Sequence, residues 1–357
     1  MNPLKISENL YRHYEETQEI KAYYGLLAVW ALSETAVEAR DDALLRKCRD
    51  YLKQYPDHFE HPKYHFENYR VGGPAKSWLV YKGLFDEERE NLRKYAEITL
   101  HAPVDADGVM CQPDNDKRTW IDIAFCVPHF MVCAGRALGE EKYIDFAADQ
   151  CFKMYERFLD PACGLLHQSR GFIADQPEKI SEDHWSRGNG WGYVGLAALV
   201  EHLPENSPHR PKAERYFCDL SRALLAHQTP RGVWRQEIPC ELAWDESSGT
   251  GLITYGFGVG MRLGLLDRET YEKPFRRALQ AMVDRFINPD FSTDMCCHGC
   301  LCPGEGAERG TVKAYLTAVY PTHDDPHSFG CMMMAMVEAH RNGVTDLHGR
   351  KWGDRVS

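Results

Sequence analysis

Three kinds of segment are missing from this 357-residue chain, and each absence excludes a class of protein. There is no long apolar run, so nothing predicts a membrane-spanning helix. No apolar signal core follows the N-terminus, so we expect the thirteen cysteines to be free thiols in a reducing cytoplasm. There is no basic block, and 53 acidic residues against 42 basic ones give a net charge of −11. Nucleic acid is therefore not expected as a partner.

Local motifs for nucleotide and serine chemistry are missing as well. The sequence has no GxGxxG that follows a strand, no P-loop and no GxSxG elbow. These absences leave no basis for a nucleotide-binding protein or a serine hydrolase.

Apolar residues recur at helical spacing almost throughout, and hardly any stretch indicates a convincing pair of strands. The predicted helices cover about 18–38, 41–55, 74–84, 86–101, 119–138, 141–159, 188–203, 211–228, 248–265, 269–287, 312–319 and 327–342. They come in pairs, with a short connection inside each pair and a long loop between pairs, repeating roughly every 50–65 residues. This pattern predicts one all-α toroid over residues 1–357, whose long loops share the functional face.

The segment Asp183–Tyr193 is the most informative in the chain. Its tryptophans offer flat faces, Arg187 offers a fixed fork for a carboxylate, and Asn189 can both donate and accept hydrogen bonds. The three glycines among them would let a ligand approach the backbone closely. This combination suits a carbohydrate that bears an acid group. The alternative is a helix N-terminus whose tryptophans belong to the core.

A single acid, Asp122, stands inside the apolar helical segment Thr119–Pro128. Burying a lone carboxylate raises its pKa, and an acid that stays protonated near neutral pH can donate a proton in catalysis. The alternatives are a helix N-cap and a structural partner for a buried arginine.

Four further segments carry weaker signals. His167, in the loop Leu165–Arg170, could bind a sugar acid or simply be solvated. Trp234 lies two residues after Gly232, and Glu246 lies where a helix-capping motif is the stronger interpretation, although a cap and a site can coexist. The cluster Cys296–Cys302 contains one CxxC and no second one, so free thiols are expected there rather than a zinc site.

Taken together, these segments resemble glycoside hydrolase families 88 and 105, the unsaturated glucuronyl and rhamnogalacturonyl hydrolases. The similar strings keep the family order and cover roughly residues 118–265: Trp120–Asp122 with Pro128–Phe130, Gly164–His167, Arg187–Trp191, Gly232–Gln236, Glu246–Thr250 and Arg262–Gly264. The resemblance implies an (α/α)6 toroid, the six-hairpin glycosidase barrel. It also implies release of a 4,5-unsaturated uronic acid from oligosaccharides, with no metal or other cofactor.

The resemblance assigns roles to individual residues. Asp122 would be the acid and base that hydrates the vinyl ether, with Asp183 as a candidate second carboxylate. Arg187, Trp191 and His167 would hold the uronate. The full set of residues expected to bind substrate is Arg70, His129, His167, His184, Trp185, Arg187, Asn189, Trp191, Trp234 and Glu246.

One position departs from the family pattern. The family has a second Asp before an early Pro-Gly, where this chain has Arg70, so either Asp183 or Glu246 replaces it or the substrate differs. Three alternatives stay open: a saturated uronidase with two carboxyls, an epimerase that uses paired histidines, and a non-catalytic carbohydrate-binding relative. The sequence does not predict the oligomeric state.

Overall fold

The computed structural model describes residues 1–55, 72–111 and 118–352, and its elements are mainly helices. Six helices are almost wholly buried, and we call them the inner helices: Ala22–Ala39, Gly73–Tyr81, Ile123–Leu138, Ser186–His202, Ser247–Arg262 and Pro326–Arg341. Six others bury one face, and we call them the outer helices: Pro3–Thr17, Asp42–Leu52, Arg89–Leu100, Glu141–Phe158, Arg210–Ala226 and Arg268–Arg285. A short helix, Val312–Thr317, lies in the last long connection.

The inner helices form a closed ring. Each contacts the next along the chain, and the last, Pro326–Arg341, contacts the first, Ala22–Ala39. The outer helices pack around this ring, and the N-terminal helix Pro3–Thr17 lies against the C-terminal inner helix. The predicted (α/α)6 toroid is confirmed.

The connections alternate in length, as the sequence predicted. Short turns lead from an inner helix to the following outer helix, and long connections return the chain to the next inner helix, except for the short connection between Thr17 and Ala22. All inner helices therefore begin at the same face of the ring, and the long connections gather there. None of the described helices combines the length and the apolar character needed to cross a bilayer.

Two details differ from the sequence prediction. The helix Pro3–Thr17 was not predicted, because polar Ser7 and Asn9 interrupt the apolar pattern of its buried face. The long connections also contain three antiparallel pairs of two-residue strands: Thr119–Trp120 with Ser169–Arg170, Trp234–Arg235 with Asp245–Glu246, and Cys296–Cys297 with Pro321–Thr322. Strands of two residues are too short to show the alternation of apolar and polar residues by which a strand is predicted. They nevertheless hold the long connections against one another.

Neighbouring inner helices approach each other closely at Gly195. A Cβ at this position would overlap the carbonyl oxygen of Ala124 on the adjacent inner helix. We expect Gly195→Ala to lower the free energy of unfolding by about 3 kcal/mol, measured by urea denaturation. The matched control is Gly188→Ala in the same helix, where the nearest atoms are side-chain atoms of Trp185 and Ile121 at 3.1 and 3.2 Å. An equal loss of unfolding free energy in the two variants would contradict the close approach of Gly195 to the Ala124 carbonyl oxygen.

Candidate active site

The long-loop face holds a cavity of about 110 Å³ among the N-terminal ends of the inner helices. Its lining comes from distant parts of the chain: Tyr23, Trp120, Asp122, Cys126, Gln168, Trp185, Arg187, Gly299, Cys300 and Leu301. Helix N-termini carry partial positive charge, so this end of the ring favours an anionic ligand. Four aromatic or apolar side chains share the cavity with one carboxyl group and one guanidinium group.

Asp122 lies directly before the inner helix Ile123–Leu138, rather than inside it as the sequence pattern suggested. The helix begins later because Thr119–Trp120 pairs as a strand with Ser169–Arg170. The N-cap alternative does not apply, because the Asp122 side chain makes no capping hydrogen bond. Its Oδ2 is buried and has no partner among the described residues.

The surroundings of Asp122 change its acidity. Burial raises the pKa of its carboxyl from 3.8 to about 7, and the positive charge of Arg187 only partly opposes this shift. Near neutral pH both the protonated and the ionised forms are therefore populated. Such a group can donate a proton in one step and accept one in the next.

Arg187 occupies the first turn of the inner helix Ser186–His202 and is only 1% exposed. Its two Nη atoms donate to the carbonyl oxygens of Cys297 and His298, and its guanidinium lies 4.4 Å from the centre of the Trp185 ring. Its Nε has no partner among the described residues. No carboxylate of the described chain lies within ion-pair distance of this buried cation. Because an uncompensated buried charge is costly, an anionic ligand would stabilise the site.

The Cys-rich loop forms one wall of the cavity and is held there by Gln168. The Gln168 side chain donates to the carbonyl oxygen of Cys300 at 2.7 Å and accepts from the backbone N–H of Cys302 at 3.0 Å. The cysteines of the cluster are free thiols, as predicted, with Cys297 Sγ and Cys300 Sγ 3.7 Å apart.

A hydrogen-bonded chain that reaches the cavity was missed in the sequence. The Tyr23 hydroxyl is 2.7 Å from His327 Nε2, and His327 Nδ1 is 2.6 Å from Asp325 Oδ1. Burial alone would raise the pKa of Asp325, but the hydrogen bond from His327 lowers it to about 2. The available signals were a tyrosine pair before an apolar run and an Asp-Pro helix start at Asp325.

Two residues of the segment Asp183–Tyr193 support the cavity from outside rather than lining it. Trp191 is fully buried and stacks on Phe125 at 4.6 Å. Asn189 accepts from the backbone N–H of Leu166 at 2.8 Å and donates to the Leu166 carbonyl oxygen at 2.9 Å. The core alternative thus describes Trp191, while Trp185 and Arg187 line the cavity as expected for ligand-binding residues.

The two carboxylates proposed to replace the missing family Asp do not line the cavity. Asp183 accepts from the backbone N–H groups of Gln168 at 3.3 Å and Trp185 at 3.0 Å. Glu246 accepts from the backbone N–H groups of Ser248 and Cys297, both at 3.0 Å. Each carboxylate therefore holds backbone in place, and for Glu246 the capping alternative is the geometry observed. Arg70 lies outside the described residues.

The remaining predicted residues lie further from the cavity. His129 is fully buried with its ring centre 4.1 Å from that of Trp30, and Trp234 donates from Nε1 to the carbonyl oxygen of Leu224 at 2.8 Å. Direct contact between these two side chains and a ligand in the cavity is excluded by the packing around them. His167 and His184 face each other, with ring centres 4.8 Å apart, beside the segment that carries Gln168. Among the residues that the structure describes, no histidine pair lines the cavity, so the epimerase alternative gains no support.

Comparison with known proteins agrees with the resemblance seen in the sequence. The profile of Glycosyl Hydrolase Family 88 matches residues 8–343. An unsaturated 3S-rhamnoglycuronyl hydrolase of Formosa agariphila is 30% identical over 173 residues, which are 46% of each chain. A protein of the same name from an Alteromonas species is 23% identical over 171 residues, 46% of this chain and 41% of that protein. The chain thus spans less than half of the length of these curated relatives.

Solved structures show the same fold at low identity. A family 105 glycoside hydrolase of C. acetobutylicum superposes with a TM-score of 0.81 at 19% identity, covering 94% of this chain and 99% of that one. An unsaturated glucuronyl hydrolase of a Bacillus species superposes with a TM-score of 0.67 at 14% identity, covering 98% of each chain.

Proposed function

Because the chain belongs to Glycosyl Hydrolase Family 88, we propose that it hydrolyses oligosaccharides that end in a 4,5-unsaturated uronic acid. The observation that carries this proposal is the buried Arg187 cation, which shares a cavity with Asp122 and has no carboxylate partner among the described residues. The uronate carboxylate would supply the missing negative charge. The sugar ring attached to it would then lie near Asp122.

The reaction we propose needs one acid that later acts as a base. Protonated Asp122 donates its proton to C4 of the double bond, and the positive charge that forms is shared between C5 and the ring oxygen. Water adds at C5 and returns a proton to the Asp122 carboxylate. The resulting hemiketal opens, and the open-chain sugar releases the remaining oligosaccharide from C1. A carboxyl group with a pKa of about 7 suits both steps.

The saturated uronidase is the second candidate, and the cavity argues against it. Hydrolysis of a saturated glycosidic bond uses two carboxyl groups placed on either side of the bond. Asp122 is the one carboxylate that lines the cavity in the described part of the chain. Vinyl-ether hydration therefore fits this lining better.

The names of the curated relatives indicate which substrates to test first. Both are called unsaturated 3S-rhamnoglycuronyl hydrolases, so oligosaccharides in which the unsaturated uronide is linked to rhamnose are the leading class. The free cysteines support our proposal that the protein acts in the reducing cytoplasm.

A panel of lyase-generated oligosaccharides from ulvan, pectin and glycosaminoglycans tests the proposal. The assay follows the ultraviolet absorbance of the conjugated double bond, which disappears on hydration. Loss of absorbance with one class would establish the reaction and the substrate class together. No loss with any class, in a protein that is folded by circular dichroism, would contradict the proposal.

The pH dependence follows from the raised pKa of Asp122. Asp122 must be protonated for the first step, so kcat/KM should hold its value below about pH 7 and fall roughly tenfold per pH unit above it. The measurement is a pH–rate profile at low substrate concentration, with circular dichroism at each pH as the control for folding. An unchanged kcat/KM through this pKa would exclude Asp122 as the proton donor.

A further inference from the structure

A cluster of metal-ligating side chains lies beside the cavity and takes no part in the proposed reaction. Asp160, His167 and His184 place their ligand atoms within 4.8 Å of one another. His184 Nε2 is 3.0 Å from Asp160 Oδ2 and 3.4 Å from Cys163 Sγ, and this sulfur is 3.5 Å from Asp160 Oδ2. Carboxylate oxygen and imidazole nitrogen thus converge from two separate segments, and the Cys163 thiol contacts two of the three groups.

These distances suit a tetrahedral metal ion. Zinc binds sulfur at about 2.3 Å and nitrogen or carboxylate oxygen at about 2.0–2.2 Å, which separates neighbouring ligand atoms by roughly 3.3–3.7 Å. The distances from Cys163 Sγ to His184 Nε2, 3.4 Å, and to Asp160 Oδ2, 3.5 Å, fall in this range. Mixed nitrogen and sulfur donors favour zinc over calcium or magnesium.

A hydrogen bond orients His167, and an ion-pair contact lies behind His184, so that one nitrogen of each ring faces the cluster. His167 Nδ1 lies 2.9 Å from the carbonyl oxygen of Asp183, which can only accept, so Nδ1 carries the proton and Nε2 keeps a free lone pair. His184 Nδ1 lies 3.7 Å from Glu237 Oε1, while its Nε2 faces Asp160 and Cys163. A carboxylate behind a histidine in this way is a recurrent feature of zinc sites.

Glu237 is a buried carboxylate that lies behind His184 and adds negative charge to the cluster. It is only 1% exposed, and its Oε1 accepts the backbone N–H of His184 at 2.6 Å. Its Oε2 has no hydrogen-bond partner in the described part of the chain. A buried carboxylate with an unused oxygen is costly, and a divalent cation bound to the adjacent His184 would offset that cost.

We propose that Asp160, Cys163, His167 and His184 bind a structural zinc ion. The ion would join the segment that ends at His167 to the segment around His184. Gln168 follows the first segment directly, and Trp185 and Arg187 follow the second, so the zinc ion would fix three cavity-lining residues in place. This role lies outside the hydration reaction and assigns His167 and His184 to the metal rather than to the uronate.

Metal binding by the full-length chain tests the proposal directly. After dialysis against Zn²⁺ and removal of the excess, elemental analysis should find one zinc per chain. Titration of the metal-free protein with Co²⁺ should produce the visible bands of tetrahedral cobalt and a sulfur-to-cobalt charge-transfer band. Zinc should also raise the midpoint of thermal unfolding by several degrees.

Variants locate the site. Cys163→Ala and His184→Ala should each weaken cobalt binding at least tenfold, and Cys163→Ala should also remove the charge-transfer band. Cys218→Ala is the matched control, because Cys218 is a half-buried free thiol whose Sγ contacts the carbonyl oxygen of Leu265, on the opposite face of the ring. It should bind cobalt as the unaltered protein does.

Two results would overturn the proposal. One is no bound zinc and no cobalt spectrum in the unaltered protein, a measurement that does not depend on how any variant folds. The other is cobalt affinity that is unchanged in both Cys163→Ala and His184→Ala. Neither readout uses hydrolysis of an oligosaccharide, so failure here is distinct from failure of the proposed function.

Discussion

Asp122→Asn should lower kcat/KM for the unsaturated oligosaccharide by about 10²- to 10⁴-fold, the range usual for loss of a general acid. Asparagine has nearly the same shape but cannot donate the proton that C4 requires. The Oδ2 atom of Asp122 has no partner among the described residues, so the substitution breaks no hydrogen bond of that atom. The assay is the loss of double-bond absorbance at substrate concentrations well below KM.

The fold of this variant should be unimpaired, and above pH 7 it should be more stable than the unaltered protein. The raised pKa means that folding favours the protonated carboxyl, so the stability of the unaltered protein falls as the pH rises from about 3.8 to about 7. The neutral amide avoids that loss. Thermal unfolding of both proteins at about pH 4 and at about pH 8 measures the difference.

Asp267→Asn is the matched control for this substitution. Asp267 caps the outer helix Arg268–Arg285, at the face opposite the cavity, and asparagine caps helices equally well. Its activity should equal that of the unaltered protein. If Asp122→Asn kept the activity of the Asp267→Asn control, Asp122 would have no part in the mechanism.

The helical architecture could be predicted because it rests on a repeated physical signal. Each inner helix buries nearly all of its surface, so apolar and small residues dominate its sequence. Each outer helix buries one face and shows apolar residues at helical spacing. The alternation of short and long connections then placed the functional loops on one face. The first helix escaped prediction because its buried face includes Ser7 and Asn9.

The composition of the site was harder to predict, because ligand-binding residues and backbone-holding residues belong to the same chemical types. Asn189 and Glu246 are suited to binding a sugar, but both satisfy backbone groups in long connections. Helical spacing indicates that a residue lies near the start of an inner helix. It does not indicate whether the side chain points into the cavity or toward the neighbouring loop.

Residues distant in sequence supply the rest of the lining. Tyr23 and Asp122 meet only through the arrangement of the ring, since Tyr23 lies in the first inner helix and Asp122 directly before the third. Its link to His327 joins opposite ends of the chain. No pattern among neighbouring residues of the sequence predicts a contact between residues so far apart in the chain. The same holds for Glu237, whose proximity to His184 depends on the pairing of two long connections.

Arg187→Ala is expected to have the other large effect, a fall in kcat/KM of about 10²- to 10³-fold for substrates with a free carboxylate, carried mainly by a higher KM. Removing one member of a buried charge pair costs about 3–5 kcal/mol, and the bound uronate would be left without its partner. Arg187 also donates to the carbonyl oxygens of Cys297 and His298, so some loss of stability should accompany the substitution. Steady-state kinetics and urea denaturation separate the two effects.

The methyl ester of the same oligosaccharide distinguishes recognition of charge from general damage to the site. The ester keeps the double bond and the ring but removes the negative charge, so the unaltered protein should process it less efficiently than the free acid. In Arg187→Ala this preference should disappear, because acid and ester then meet the same neutral cavity. The comparison of two proteins with two substrates is a double-mutant cycle, and its coupling term isolates the interaction between arginine and carboxylate. If the substitution lowered kcat/KM for the acid and for the ester by the same factor, Arg187 would act by supporting the Cys-rich loop. The uronate would then have to be bound elsewhere.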